Sequence, residues 1–414
     1  MVTKKFKKTG VGNIPIDWQC SKIGDVAKVC MCKRIFAEQT SETEEIPFYK
    51  IGTFGKKADA YISRELYEEY KQRFSFPNVG DVLISAAGTL GRVVVFDGQD
   101  SYFQDSNIVW LDINKNMLTN QYLYHYYKII KWASSEGSTI ARLYNGIIYD
   151  TDIAFPDVKE QKIIAEKLSD IDNLISTLEK QIAKKKAIKQ GVMQELITGK
   201  KRLKGFDKEW SVYNLEDLCH LITKQTGFDY TNEIKSSLIK VNIPGTIPFI
   251  QNKDFEGNKV NLKTDYFIPT NTAKKYPEIM LNETCMLISL SGRIGNVGVY
   301  NRKYGHSFIG GAVGICKFYN PDYAEWAMLY LSTEEGQKQI FEKQKAGAQH
   351  NLTVADVRKL SIKLPQTMEE IKGIVYILSD IEQDIIRLEE KHEKYTAIKQ
   401  GMMEQLLTGK IRLV

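Results

Sequence analysis

Cysteine and proline are scarce, with six of one and ten of the other in 414 residues. So few cysteines exclude a disulfide framework, and so little proline excludes a low-complexity, proline-rich chain. No apolar run approaches the roughly 18 residues that a membrane helix needs. The opening MVTKKFKKTG is basic but lacks the apolar stretch of a secretory signal. These absences lead us to expect a soluble, cytoplasmic, globular protein, long enough for two or three domains. Neither charge sign dominates: 57 Lys and Arg against 51 Asp and Glu leave a net +6, which permits nucleic-acid binding without establishing it. Histidine is scarce too. The five present are scattered, Cys30 and Cys32 lack a second ligand pair, and Cys219–His220 lacks a third group, so no metal site is expected.

What the chain does have is an internal repeat. LSDIDNLISTLEKQIAKKKAIKQGVMQELITGKKRL at 168–203 returns at 378–413 with a constant offset of 210, and 20 of 36 positions are identical. A period this long implies a duplicated half with pseudo-twofold symmetry, not a solenoid. Weaker echoes agree: tryptophans at 18 and 210, Ile46-Pro47-Phe48 and Ile247-Pro248-Phe249, and LISAAGTLGRVVVF (83–96) against LISLSGRIGNVGVY (287–300). Pro156 and Pro365 close the divergent parts. The expected organisation is a first domain at 1–156, a helical region at 157–204, a second domain at 205–365 and a second helical region at 366–414.

In the helical regions Leu168, Ile171, Ile175, Leu178 and Ile182 alternate by three and four, as do Leu378, Ile381, Ile385 and Leu388; this is a coiled-coil seam. It loosens where Lys185 and Lys189, and His392 and Tyr395, fall on core positions, while Ile188, Val192 and Leu196 take up a shifted stripe. Gly199 and Gly409 read as C-terminal stops. The divergent parts read as mixed α/β, with strands at 82–85, 92–96, 287–291 and 296–300 and helices at 120–133 and 322–345.

Several short motifs resemble chemistry that their context does not support. Thr198-Gly199-Lys200 and Thr408-Gly409-Lys410 resemble the end of a P-loop, but Gln194 and Glu404 replace its first glycine and the segment closes a helix instead of opening one. Asn320-Pro321-Asp322-Tyr323 resembles the base-holding loop of amino methyltransferases, yet reads better as a helix N-terminal turn. Asp157 and Glu160 are too close in sequence for nuclease carboxylates; Glu160 reads as a first-turn acid favoured by the helix dipole. No catalytic residue is assigned. Candidate DNA-binding residues are Lys56, Lys57, Arg92, Arg302 and Lys303 in loops, Arg293 and Asn296 in the second glycine turn, and two corresponding polar clusters, Ser138, Thr139 and Arg142 in one half and Gln349, His350 and Asn351 in the other. Such side chains contact phosphates or base edges, and also populate ordinary turns. The Lys184–Lys186 run reads as a solvated helix face.

With the two-copy architecture, the IPIDW opening at 14–18, the GDVLIS and GTLGR pattern at 80–92, the junction FPDVKEQKIIAEKLSDID at 155–172 and the LITGKKRL and LLTGKIRL endings, the chain resembles the specificity subunits of type I restriction–modification systems. The second half departs from the pattern with Asn282-Glu283-Thr284-Cys285 in place of the Gly-Asp-Val start, and Glu369-Glu370 in place of Glu-Gln. The resemblance covers essentially the whole chain. It implies an α+β fold: two mixed α/β target recognition domains, each reading one half of a split site on double-stranded DNA, separated by a long antiparallel coiled coil. It implies no catalytic site and no cofactor in this chain. Two methyltransferase (modification) subunits would bring S-adenosylmethionine, and restriction (motor-nuclease) subunits would use ATP and Mg. A stretch of about 40 helical residues spans about 60 Å, enough to hold two reading heads apart along DNA. Alternatives are the specificity partner of a bifunctional restriction–methylation enzyme, a chain with its own adenine methyltransferase activity, and a purely structural coiled-coil adaptor.

Overall fold

A computed structural model describes residues 5–130, 132, 142–343 and 351–413. The chain forms two compact units, Met1–Lys180 with Glu389–Val414, and Gln181–Leu388. The first long helix, Val158–Leu196, begins in one unit and ends in the other, and the second, Met368–Leu406, does the reverse. Each unit thus owns one α/β head and one stretch of paired helix.

In the first unit, Ala27–Cys30, Ile108–Ile113, Val82–Ser85 and Val93–Val95 form an antiparallel sheet in that order. Successive side chains of a strand point to opposite faces, and the apolar residues here divide accordingly. Val82, Ile84, Val109 and Leu111 pack with Ile164, Leu168, Met403 and Leu406 of the helices. Leu83, Ile108 and Trp110 pack on the other face with Phe48, Tyr102 and Phe103, from a smaller three-stranded sheet. The second unit repeats the plan. Cys219–Lys224, Val313–Phe318, Cys285–Ser289 and Val297–Tyr300 form its sheet. Met286 and Ile288 face Met193, Leu196, Ile371 and Leu378, while Leu287 and Ile315 face Phe249 and Phe308. The ends of the helix pair are therefore part of each head's core.

The paired helix stretches run antiparallel. In the first unit Asp172 meets Lys399 at 2.5 Å and Glu179 meets His392 at 3.2 Å; in the second, Lys185 meets Asp384 at 2.7 Å and Lys189 meets Glu382 at 2.8 Å. The seam loosens at Lys185 and Lys189 because both lysines sit in cross-helix ion pairs. Leu168, Ile171, Leu178, Leu378 and Ile385 are buried, while Ile175, Ile182, Ile381 and Leu388 are half-buried. Of the shifted stripe, Leu196 is buried, but Ile188 is 44% exposed.

Each helix ends on a glycine in the left-handed region, Gly199 (φ 74°) and Gly409 (φ 68°). The amides of Lys201 and Ile411 reach back to the carbonyls of Glu195 and Gln405. A Cβ on Gly199 would lie 3.2 Å from Trp210, and one on Gly409 2.5 Å from Pro15 and 3.2 Å from Trp18. The stop thus also lets each duplicated tryptophan close on a helix end.

Two expected helices differ. Among its described residues the 120–133 segment is helical only over Asn120–Tyr126, capped by the Thr119 hydroxyl, which accepts from the Tyr122 amide. The described part of the 322–345 segment, 322–343, is two helices, Tyr323–Leu331 and Glu334–Glu342. Thr333 ends the run because its hydroxyl caps the second helix, accepting from the Gly336 amide, and a Cβ on Gly336 would lie 2.4 Å from the Tyr330 carbonyl oxygen.

Glu160 is indeed a first-turn acid of the first long helix, and it does more than favour the helix dipole. It is fully buried, and Arg412 grips it with Nε at 2.5 Å and Nη2 at 2.6 Å. Its counterpart is Glu370, 1% exposed, held by Arg202 at 2.6 and 2.8 Å and by the Trp210 indole N–H at 3.3 Å. Both partners in each pair are offset by 210 residues, so the duplication copied a bidentate ion pair that ties the tail after one long helix to the start of the other.

Candidate nucleic-acid interface

Four chain segments meet at one end of each large sheet, because the strands are antiparallel. In the first head these are the segment after Cys30, the turn between Ser85 and Val93, the segment before Ile108, and Arg142, which forms a bridge with Ala87. Ser85 builds the turn: its hydroxyl donates to the Thr89 carbonyl at 2.5 Å and accepts the Arg92 amide at 2.8 Å. Gly88 and Gly91 supply the positive φ values the turn needs, 65° and 74°. The Arg92 guanidinium donates to the Phe54 carbonyl at 2.8 Å, which brings the loop of Lys56 and Lys57, both exposed, to the same place. Arg142 donates to Ser106 Oγ at 2.9 Å. Arg34 joins them through Asp105 at 2.9 Å; no sequence signal marked it, since the two lie 71 residues apart.

In the second head, Ser289 and Val297 flank the turn that carries Arg293 and Asn296. Arg293 is exposed, 3.9 Å from Glu256. Asn296 spends its amide on the backbone, donating to the carbonyls of Phe255 at 2.6 Å and Asn252 at 3.3 Å. Asn252 in turn donates to the Ser291 carbonyl. The Leu352 amide donates to the Leu290 carbonyl at 2.8 Å, so exposed Asn351 lies at this end as well. Arg302 and Lys303 do not join them: they form a short turn following Tyr300, at the opposite end of the Val297–Tyr300 strand. Ser138, Thr139, Gln349 and His350 lie outside the described residues.

Gln225, directly after the Cys219–Lys224 strand, is 2% exposed, and among the described residues neither end of its amide has a hydrogen-bond partner. By strand register its place in the first head belongs to Cys32, whose thiol burial pushes up to about 12. A glutamine in the polar run Thr223–Thr226 has no periodicity to betray it.

Two similar heads, each gathering basic and polar loops at one sheet end, built onto a shared helix pair, define a two-headed recognition protein. Comparison with known proteins agrees. The model of the type I restriction modification DNA specificity domain matches residues 15–190 and again 207–400. A Haemophilus influenzae protein provisionally named a type I restriction enzyme specificity subunit is 55% identical over 157 residues, 38% of this chain and 41% of that one. A type I restriction enzyme specificity subunit of Methanocaldococcus jannaschii is 25% identical over 430 residues, 99% of this chain and 96% of the other. The crystal structure of the type I restriction–modification S subunit from M. genitalium shares the fold, with TM-score 0.60 at 15% identity, over 98% of this chain and 99% of that one. The chain belongs to the family of type I restriction–modification specificity subunits, the components that carry DNA recognition and not catalysis. No described helix is long and apolar enough to cross a membrane.

Proposed function

We propose that this chain reads a bipartite site on double-stranded DNA, one half with each head, and that the helix pair docks two methyltransferase subunits. Those subunits would supply S-adenosylmethionine for adenine methylation. Restriction subunits using ATP and Mg would complete the cutting complex, in the cytoplasm. The observation that supports this best is the equivalence of the two loop sets: Arg92 and Arg293 sit in corresponding turns, at corresponding ends of duplicated sheets. One catalytic cleft would need no such duplication, and two elaborate heads would be superfluous in a plain adaptor. Exposed lysine and arginine in these loops suit phosphates, while exposed Asn351 suits a base edge. Selection from random duplexes with the assembled complex tests the reading. It predicts two short fixed blocks separated by a gap of fixed length and free sequence. A single uninterrupted block, or none, contradicts it.

A further inference from the structure

Gln225 sits on the wall of a cavity of about 320 Å³, lined also by Lys224, Tyr230, Phe249, Asn252 and Gly311. The cavity lies at the sheet end that carries the Arg293 turn, since Lys224 pairs with Gly314 and Ser289 with Val313. Burying an amide with its N–H and its C=O both unmatched is costly, and the fold does not require it, because the first head places Cys32 here. Bare backbone keeps the cavity open: a Cβ on Gly311 would come 3.4 Å from Gln225 Oε1, and one on Gly310 3.1 Å from the Phe249 ring. Phe228, four residues past the strand and 76% exposed, stands beside the lining residues Gly227 and Tyr230 as an aromatic surface against which a base can stack.

We propose that this cavity is a base-reading pocket, in which the Gln225 amide takes the edge of an adenine in the half-site belonging to the second head. An unmatched amide offers one donor and one acceptor side by side. Adenine presents the complementary pair, N7 as acceptor and the N6 amino group as donor, and glutamine matches both at once. Lys224 adds a positive charge at the wall, suited to the neighbouring phosphate. The inference rests on the DNA-recognition reading above and deepens it, naming one base and the side chain that reads it.

The test uses the full chain in its assembled complex, with selection from random duplexes for the parent, Gln225→Met and Gln225→Glu, and thermal melting of each free chain. Methionine keeps the length and removes both hydrogen-bonding ends, so it should melt no lower than the parent. The expected result is that Gln225→Met loses roughly 10-fold to 100-fold discrimination at one A·T position of one half-site and leaves the other half-site intact. Gln225→Glu should shift that position toward C·G, because a carboxylate accepts from the cytosine amino group. A Gln225→Met complex that selects the parent motif unchanged, with only its melting altered, overturns the pocket and leaves bipartite recognition standing. A parent complex that selects no sequence overturns the functional reading and the pocket with it.

Discussion

Arg412 and Arg202 carry more of the fold than their late places in each half suggest. Each faces a carboxylate that is at most 1% exposed, and the salt bridges are bidentate. Removing the arginine strands a buried charge, so Arg412→Ala and Arg202→Ala should each destabilise their own unit by about 3–5 kcal/mol. The double change Arg412→Met with Glu160→Met should recover most of that loss, read from urea unfolding of the full chain. His125 gives a pH signature. It is fully buried with Nε2 against Ser169 Oγ at 3.1 Å, and burial, assisted by Lys128, pushes its pKa down to about 4 against the opposing pull of Asp172. The unfolded chain takes up this proton near pH 6.5, whereas the folded chain resists until about 4. Stability from this group is therefore complete above pH 6.5 and declines as pH falls toward 4. Melting at pH 7 and pH 5 should show a smaller drop for His125→Gln than for the parent; an equal drop assigns the acid sensitivity elsewhere. In the loops we propose to meet DNA, Arg293→Ala should weaken DNA binding alike on all sequences and reduce the salt slope by about one. Arg92 is tied to the Phe54 carbonyl, so Arg92→Ala should also loosen the Lys56–Lys57 loop. Titration at several salt concentrations separates the two.

At the scale of elements, the helix pair is where periodicity spoke most clearly. Leu178 is 3% exposed and Leu388 only half-buried. Leu178→Asp should therefore cost several kcal/mol as an unpaired carboxylate in an apolar seam, and Leu388→Asp distinctly less, measured by melting and by assembly with methyltransferase subunits in sedimentation. Equal costs would contradict the burial difference. The two long helices, the glycine stops and the paired strands around Gly88 and Gly292 were legible because each leaves a local mark: a three-four spacing, a positive-φ residue, an apolar run. The Glu160–Arg412 pair was not legible, since its partners lie 252 residues apart and each alone reads as a surface charge. The break at Thr333 was hidden because an amphipathic pattern can continue through a capping threonine. Arg302 and Lys303 read from the sequence as loop residues near a strand, but nothing local says which end of the sheet they occupy; the four-residue strand Val297–Tyr300 carries them to the end opposite the glycine turn.

For the whole molecule, the duplication is the organising fact. Each unit contains a complete head and its own paired stretch of helix, so each should keep its specificity independently of the other. The most direct measurement replaces residues 211–364 with the corresponding segment of another specificity subunit and maps the methylated motif by sequencing. The exchanged segment runs from the strand Ser211–Asn214 to its partner Ser361–Leu364, and leaves both long helices, Arg202 and Glu370 in place. Two independent reading heads predict a motif in which one half-site changes and the other, with the gap length, is retained. A motif changed in both halves, or in neither, would contradict them.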